Sequence, residues 1–222
     1  MKKDPLRPLK NQVWHLLNRL GWGGMLQLHL TGALREDGWF QTFHTKASVD
    51  KQGRPIPWYT YPCIDFLKTR LNADMQVFEY GSGHSTRWLA QYTGQVVAVE
   101  HEPAWIAKIR PQLPPNAQVL FEATQEGENG AYARKPQSLH QAFDLIVVDG
   151  LDRVHCLLQC PSALSASGVI LLDDASRPEY QAGIDFLKAQ GFKELPFFGI
   201  KPIVAYKACT SIFYREGNVL GI

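Results

Sequence analysis

The sequence predicts an α/β protein: a doubly wound, mostly parallel Rossmann-like sheet with a C-terminal antiparallel strand and an N-terminal helical extension. Three observations lead there. From residue 75 onward short runs of Val, Ile, Leu and Phe alternate with helical patterns; the first run ends in a Gly-x-Gly turn; and several runs end in an acid. A chain of 222 residues holds one such domain plus an extension. The expected division is an extension and lid over residues 1–62 and the catalytic-type domain over 63–222.

Up to about Pro57 glycines punctuate short apolar groups, which predicts a helical cap followed by loops. Residues 14–20 carry apolar side chains at helical spacing with basic neighbours, after Lys2, Lys3, Arg7 and Lys10. Such a helix is expected to dock on its own domain, contact with a membrane surface being the alternative. Residues 55–62 form a proline-punctuated aromatic segment that should be extended. Pro62 then opens a helix with Ile64, Leu67 and Leu71 on one face. Parallel strands are expected at 76–80, 96–100, 117–121, 145–148 and 169–172, rich in apolar residues because both faces of the sheet are covered. Helices are expected at 86–91, 104–109 and 182–190. The runs 192–200 and 211–214 are too close for a helical crossover, so an antiparallel strand should end the sheet.

Composition narrows the function. Lys and Arg total 23 against 21 Asp and Glu, which lacks the positive excess that holds a phosphate backbone, so nucleic acid is not an expected partner. Cys63, Cys156, Cys160 and Cys209 follow neither a disulfide-scaffold nor a zinc-ribbon spacing and are expected to be reduced and packed in the core. No apolar run in the first residues has the length of a signal peptide or membrane span, so a cytoplasmic location is expected.

In an open α/β sheet ligands bind outside the carboxyl ends of the strands. The first strand ends in Glu79-Tyr80-Gly81-Ser82-Gly83-His84-Ser85-Thr86, where glycines admit close backbone approach to a ligand and the next helix offers free N–H groups. Glu100 lies 21 residues after Glu79 at the end of the second strand, placed to accept both hydroxyls of an adenosine ribose. Asp149 ends the fourth strand, and Asp173 and Asp174 end the fifth. His84, in the glycine turn, is a candidate base, and His101 is expected to flank the adenosine. Tyr59 and Tyr61 are secondary candidates at the rim.

With these residues in place, the stretch from Val77 to Asp174 resembles the class I S-adenosylmethionine-dependent methyltransferases. VFEYGSG corresponds to their first motif and VVAVE to their second. PIPWYTYP at 55–62, VFEYGSGHST at 77–86 and CTSIFYR at 209–215 look like a less-characterised bacterial branch of that superfamily. The resemblance implies that Gly81 and Gly83 face the cofactor, with Ser82 and Ser85 in the same turn. It implies that Glu79 lies near the cofactor's amino group, that Glu100 holds the ribose, and that Glu122 and Ala123 flank the adenine. Ser85 stands where the motif often has a third glycine. Asp149, Asp173 and Asp174 also resemble the carboxylates that bind magnesium in the metal-dependent O-methyltransferases, where a hard cation activates a coordinated hydroxyl. Asp152 replaces the lysine usual in that group, so a lysine-assisted mechanism is not expected. The implied activity is O-methylation of a small-molecule or sugar-like acceptor, with Asp149 or a Mg2+ ion aiding deprotonation. The competing readings are a nonenzymatic nucleotide-binding module and a nicotinamide-dependent oxidoreductase. Thr86, where GxGxxG would place its last glycine, counts against the latter.

Overall fold

A computed structural model of the chain describes residues 5–124 and 130–222. Lys2 and Lys3 lie outside the described residues. One seven-stranded sheet has the order β3-β2-β1-β4-β5-β7-β6. Its strands are β1 (Gln76–Tyr80), β2 (Gln95–Glu100), β3 (Ala117–Phe121), β4 (Phe143–Val148), β5 (Leu164–Asp173), β6 (Lys193–Gly199) and β7 (Ala208–Tyr214). The first five run parallel, while β7 is antiparallel to both β5 and β6. The antiparallel strand thus sits second from the edge. The short link from β6 lets the chain turn back only as a hairpin, so β7 fills the slot beside β5 and leaves β6 outermost.

The helices are α1 (Arg7–Arg19), α2 (Gly23–Thr31), α3 (Ala33–Glu36), α4 (Trp39–Thr45), α5 (Tyr61–Lys68), α6 (His84–Leu89), α7 (Pro103–Ile109), α8 (Lys135–Ser138), α9 (Arg153–Gln159) and α10 (Gln181–Ala189). Alternate strand residues feed two cores, as a period of two requires. Phe78, Val97, Ile146 and Ile170 face Leu157 of α9 and Leu187 of α10. Val77, Val96, Val147 and Leu171 face Leu67 of α5 and Leu89 of α6, together with Ile56 and Tyr59 from the segment before α5. All four cysteines are buried and unpaired.

The N-terminal region is more helical than the glycines suggest. Loops were expected after the first helix, but four helices run to Thr45, because Gly21 and Gly38 adopt left-handed φ values of 76° and 86° between helices and punctuate them. α4 is anchored: Trp39 Nε1 donates to the Val204 carbonyl at 2.8 Å, and Ile203 N donates to Thr42 Oγ1 at 2.8 Å. α1 departs from the expected docked helix, since none of its residues is fully buried. No helix among the described residues is long and apolar enough to cross a membrane.

Leu171 is wholly buried on the central part of β5, paired with Val147 of β4 and Ile212 of β7. Leu171→Ala is expected to lower the unfolding free energy in urea by about 2–5 kcal/mol, through lost burial and the cavity left behind. A loss well below 1 kcal/mol would contradict this packing.

Candidate functional site

The chain runs from β1 outward through β2 and β3, then crosses back to continue with β4 and β5, so strand order reverses between β1 and β4. Both strands deliver their C-terminal ends to this crevice. Asp149 N donates to the Tyr80 carbonyl at 3.2 Å, holding the two turns together. Gly81 turns the chain there with φ +91°, and a Cβ on it would lie 3.2 Å from the Asp149 carbonyl oxygen. The left-handed φ and the close backbone together demand glycine.

Glu79 lies beneath this turn, 1% exposed. Ser85 Oγ donates to its Oε1, and Thr86 Oγ1 donates to Oε2 at 2.5 Å. The same Thr86 oxygen accepts from Gly83 N at 2.9 Å, so one hydroxyl caps α6 and fixes the carboxylate. Burial raises the Glu79 carboxyl to about 7; the two hydroxyl donors oppose the rise and Glu100 adds to it. The side-chain partners of this buried acid among the described residues are hydroxyls, not cations.

Glu100 ends β2, 6% exposed. Its Oε1 accepts from His101 N at 2.8 Å and Glu102 N at 3.3 Å, with His101 Nδ1 also at 2.8 Å, and its Oε2 accepts from Ser82 Oγ at 3.1 Å. Trp105 Nε1 of α7 donates to the Ser82 carbonyl at 2.8 Å, bracing the glycine turn from the far side.

A cleft of ≈ 530 Å³ opens over the turn, lined by Ser82, Gly83, His84, Ser85, Trp105 and Asp149, with residues 46–48 and Trp58 forming its N-terminal wall. Of the residues expected from sequence, the cleft therefore gathers five directly, with Glu79 and Gly81 underneath. Glu100 and His101 stand behind Ser82. Glu122 is tied to Glu100 through the bond from its N–H to the Glu100 carbonyl at 3.0 Å, and its Oε2 accepts from Lys135 at 3.0 Å. Ala123 is exposed beyond it. His84 Nδ1 lies 2.6 Å from the Ser48 carbonyl, which can only accept, so Nδ1 carries a proton and Nε2 is the ring nitrogen left for a ligand.

The acids on the other side do not form a cation site. Asp149 Oδ1 accepts from Arg153 Nη2 at 2.8 Å. Asp173 accepts from Lys201 Nζ at 2.9 Å and Thr210 Oγ1 at 2.7 Å, while Asp174 accepts from the same Lys201 Nζ at 2.5 Å and from Arg177 Nη2 at 2.5 Å. Among the described residues no group of three His, Cys, Asp or Glu side chains is arranged to hold a metal ion. The expected Mg2+ cluster of Asp149, Asp173 and Asp174 is thus replaced by protein cations, and the donor set does not fit Mg2+. Like charges at two strand ends needed compensation, and Lys201 supplies it from the loop between β6 and β7. Burial works against the charged Lys201, but Asp173 and Asp174 outweigh it and leave its pKa raised. Burial pushes the Asp149 carboxyl well above the ordinary carboxylate value; Asp173 adds to the rise and Arg153 opposes it.

A second cleft of ≈ 310 Å³ meets the first at Trp58 and Asp149 and is otherwise lined by Arg153, Asp173, Asp174, Arg177, Lys201 and Tyr206. Tyr59 lies nearby, wholly buried, with its hydroxyl lacking any hydrogen-bond partner among the described residues. Burial raises its pKa, and the fields of Glu79, Asp149 and Asp173 add to this. Sequence reasoning missed Trp105, Lys201 and the wall at 46–48. No local motif marks them, because each reaches the site through tertiary packing.

Neither a family profile nor a curated protein sequence matches the chain. Solved structures match it in fold. Precorrin-6y C5,15-methyltransferase from Geobacter metallireducens aligns with TM-score 0.53 at 16% identity, over 69% of this chain and 87% of that one. The O-methyltransferase TomG from Streptomyces achromogenes, solved in complex with SAM, aligns with TM-score 0.51 at 16% identity, over 67% and 77%. Precorrin 8w decarboxylase from Methanobacterium thermoautotrophicum aligns with TM-score 0.50 at 17% identity, over 69% and 88%. The chain shares its fold with these three structures, two of which are named as methyltransferases. Because the third structure carries a different activity in its name, the chemistry must be argued from the site.

Glu79 gives the ligand-free protein a pH signature. Its folded pKa of about 7 lies above the ordinary 4.5, so the stability from its neutral form is fully present below about pH 4.5 and is lost as pH rises through about 7. Urea unfolding at a series of pH values should show the wild type losing stability relative to Glu79→Gln across that window. Parallel profiles would mean that the carboxyl ionises without penalty.

Proposed function

We propose that the chain is an S-adenosylmethionine-dependent methyltransferase acting on oxygen of a small polar or sugar-like acceptor. One observation carries the reading: a buried carboxylate, Glu79, is held by two hydroxyls beneath a left-handed glycine at the point where strand order reverses. That arrangement suits a ligand that brings a cationic amino group to Glu79 and needs backbone approach at Gly81 and Gly83. Ser85 serves here by holding Glu79. Glu100 accepts the ribose hydroxyls as Ser82 and His101 yield its oxygens, and Glu122 and Ala123 border the adenine.

When bound, S-adenosylmethionine supplies a methyl group on a sulfonium, ready for displacement by a nucleophile. The protein's part is to orient the acceptor in line with that methyl, which supplies most of the rate through proximity. The smaller cleft is the acceptor's place, because it meets the larger one at Asp149 and Trp58. Asp149, its carboxyl made a stronger base by burial, would hold the proton that the acceptor's hydroxyl gives up. His84 Nε2 is the alternative proton acceptor on the cleft wall. Trp58 and residues 46–48 place the N-terminal segment as the lid that screens acceptors.

Glu100→Ala should weaken S-adenosylmethionine binding by roughly ten- to a hundredfold, the loss of charge-assisted hydrogen bonds of about 1.5–3 kcal/mol. Calorimetry on the folded variant checks this. Unchanged affinity would remove Glu100 from the site.

A further inference from the structure

The two clefts differ in how their charges are met. In the smaller one each carboxylate faces a protein cation. The larger one has Lys46 and Lys108 on its wall, and Asp149, already paired with Arg153, is the one acid among its lining residues. Lys46 Nζ lies 4.3 Å from the centre of the Phe43 ring, and Lys108 Nζ lies 5.0 Å from that of Trp105. An aromatic face holds an ammonium in place without neutralising it. Gln112, on the same wall, accepts at Oε1 from Arg87 Nη1 of α6 at 3.1 Å, and its Nε2 donates to the Lys108 carbonyl at 2.9 Å. A third cation thus adjoins the pair.

The neighbouring acids do not meet these cations. Asp50 pairs with Arg54, and Glu100 is met by Ser82 and His101. Glu36 and Asp37 line other hollows, and Glu102 is exposed at the start of α7. Among the described residues no carboxylate lies within ion-pair distance of Lys46, Arg87 or Lys108. Lys46 also ends α4 with a left-handed φ of 53°, where glycine or asparagine is the usual residue. The turn alone does not call for a lysine there, so its side chain is the better reason. Cations from three elements, gathered at a concave wall, draw a small anion. Phosphate suits three cations better than a carboxylate does, because it offers three acceptor oxygens and about two charges. We propose that this wall of the larger cleft is a subsite for the phosphate group of a small phosphate ester. The subsite is independent of whether the chain transfers methyl groups, because its measurement needs neither cofactor nor acceptor.

The test is thermal unfolding of the full chain in rising concentrations of inorganic phosphate, and separately of acetate, with sodium chloride holding the ionic strength constant. Phosphate should raise the unfolding midpoint by binding the native state, and acetate should not. Lys46→Gly and Lys108→Gln should each weaken the phosphate affinity read from those shifts by roughly tenfold, the loss of one charge-assisted contact. Without phosphate, Lys46→Gly should unfold no earlier than the wild type, because glycine adopts a left-handed φ at no steric cost. Lost binding is then separable from lost folding. Lys207→Gln removes a lysine that stands over the Phe198 ring and does not line the cleft, and it should leave the phosphate shift unchanged. An equal shift with acetate, or no shift in the wild type, would overturn the proposal. So would a shift of wild-type size in Lys46→Gly with Lys108→Gln, which is what exclusion of phosphate from the protein surface would give.

Discussion

Burying an ionisable carboxyl at the carboxyl end of a parallel strand is costly unless something meets each of its oxygens. In this protein two hydroxyls from the first turn of α6 do so for Glu79. The rest of the crevice follows from that contact. Thr86 can reach Glu79 only if the chain between them makes a tight turn, which Gly81 permits with its left-handed φ. The same turn brings Ser82 to Glu100 and sets the Ser82 carbonyl against Trp105. Hydroxyl donors soften the burial of Glu79 without cancelling it, and its carboxyl stays near 7. A cationic group brought to this carboxyl would lower its pKa again.

On the β5 side the solution is different. Asp173 and Asp174 share one buried lysine, and Arg153 spans from Asp149 to the Asp173 carbonyl. Buried pairs of this kind add little net stability, yet removing one partner leaves an uncompensated charge that is expensive to keep. Lys201 thus acts as the fixed counter-charge of the smaller cleft. The acids of that cleft are thus already met by cations of the protein itself.

Much of this was legible from sequence, and the reasons are local. Strands buried on both faces announce themselves as runs such as Val96 to Val99 and Leu145 to Val148, and the glycine turn after β1 marks the crevice. Glu79, Gly81, Glu100 and Asp149 could be placed at the sheet's carboxyl edge because each lies at or next to a strand end. Lys201 could not, since it arrives from a loop 28 residues beyond Asp173 and only tertiary packing sets it between the acids. The Mg2+ expectation failed for that reason. The N-terminal helices were hidden by glycines that end one helix and begin the next, a pattern that reads as loop when tertiary anchors such as Trp39 to Val204 are unseen.

The central claim is that the buried Glu79 carboxyl is the anchor for a cationic ligand group. Calorimetric titration with S-adenosylhomocysteine at a pH just below 7, repeated in two buffers of different ionisation enthalpy, tests it most directly, with NAD as the comparison ligand. The account predicts that S-adenosylhomocysteine binds with release of protons to the buffer, that Glu79→Gln abolishes this release, and that NAD does not bind. Binding with no proton exchange, or binding of NAD in place of S-adenosylhomocysteine, would contradict it.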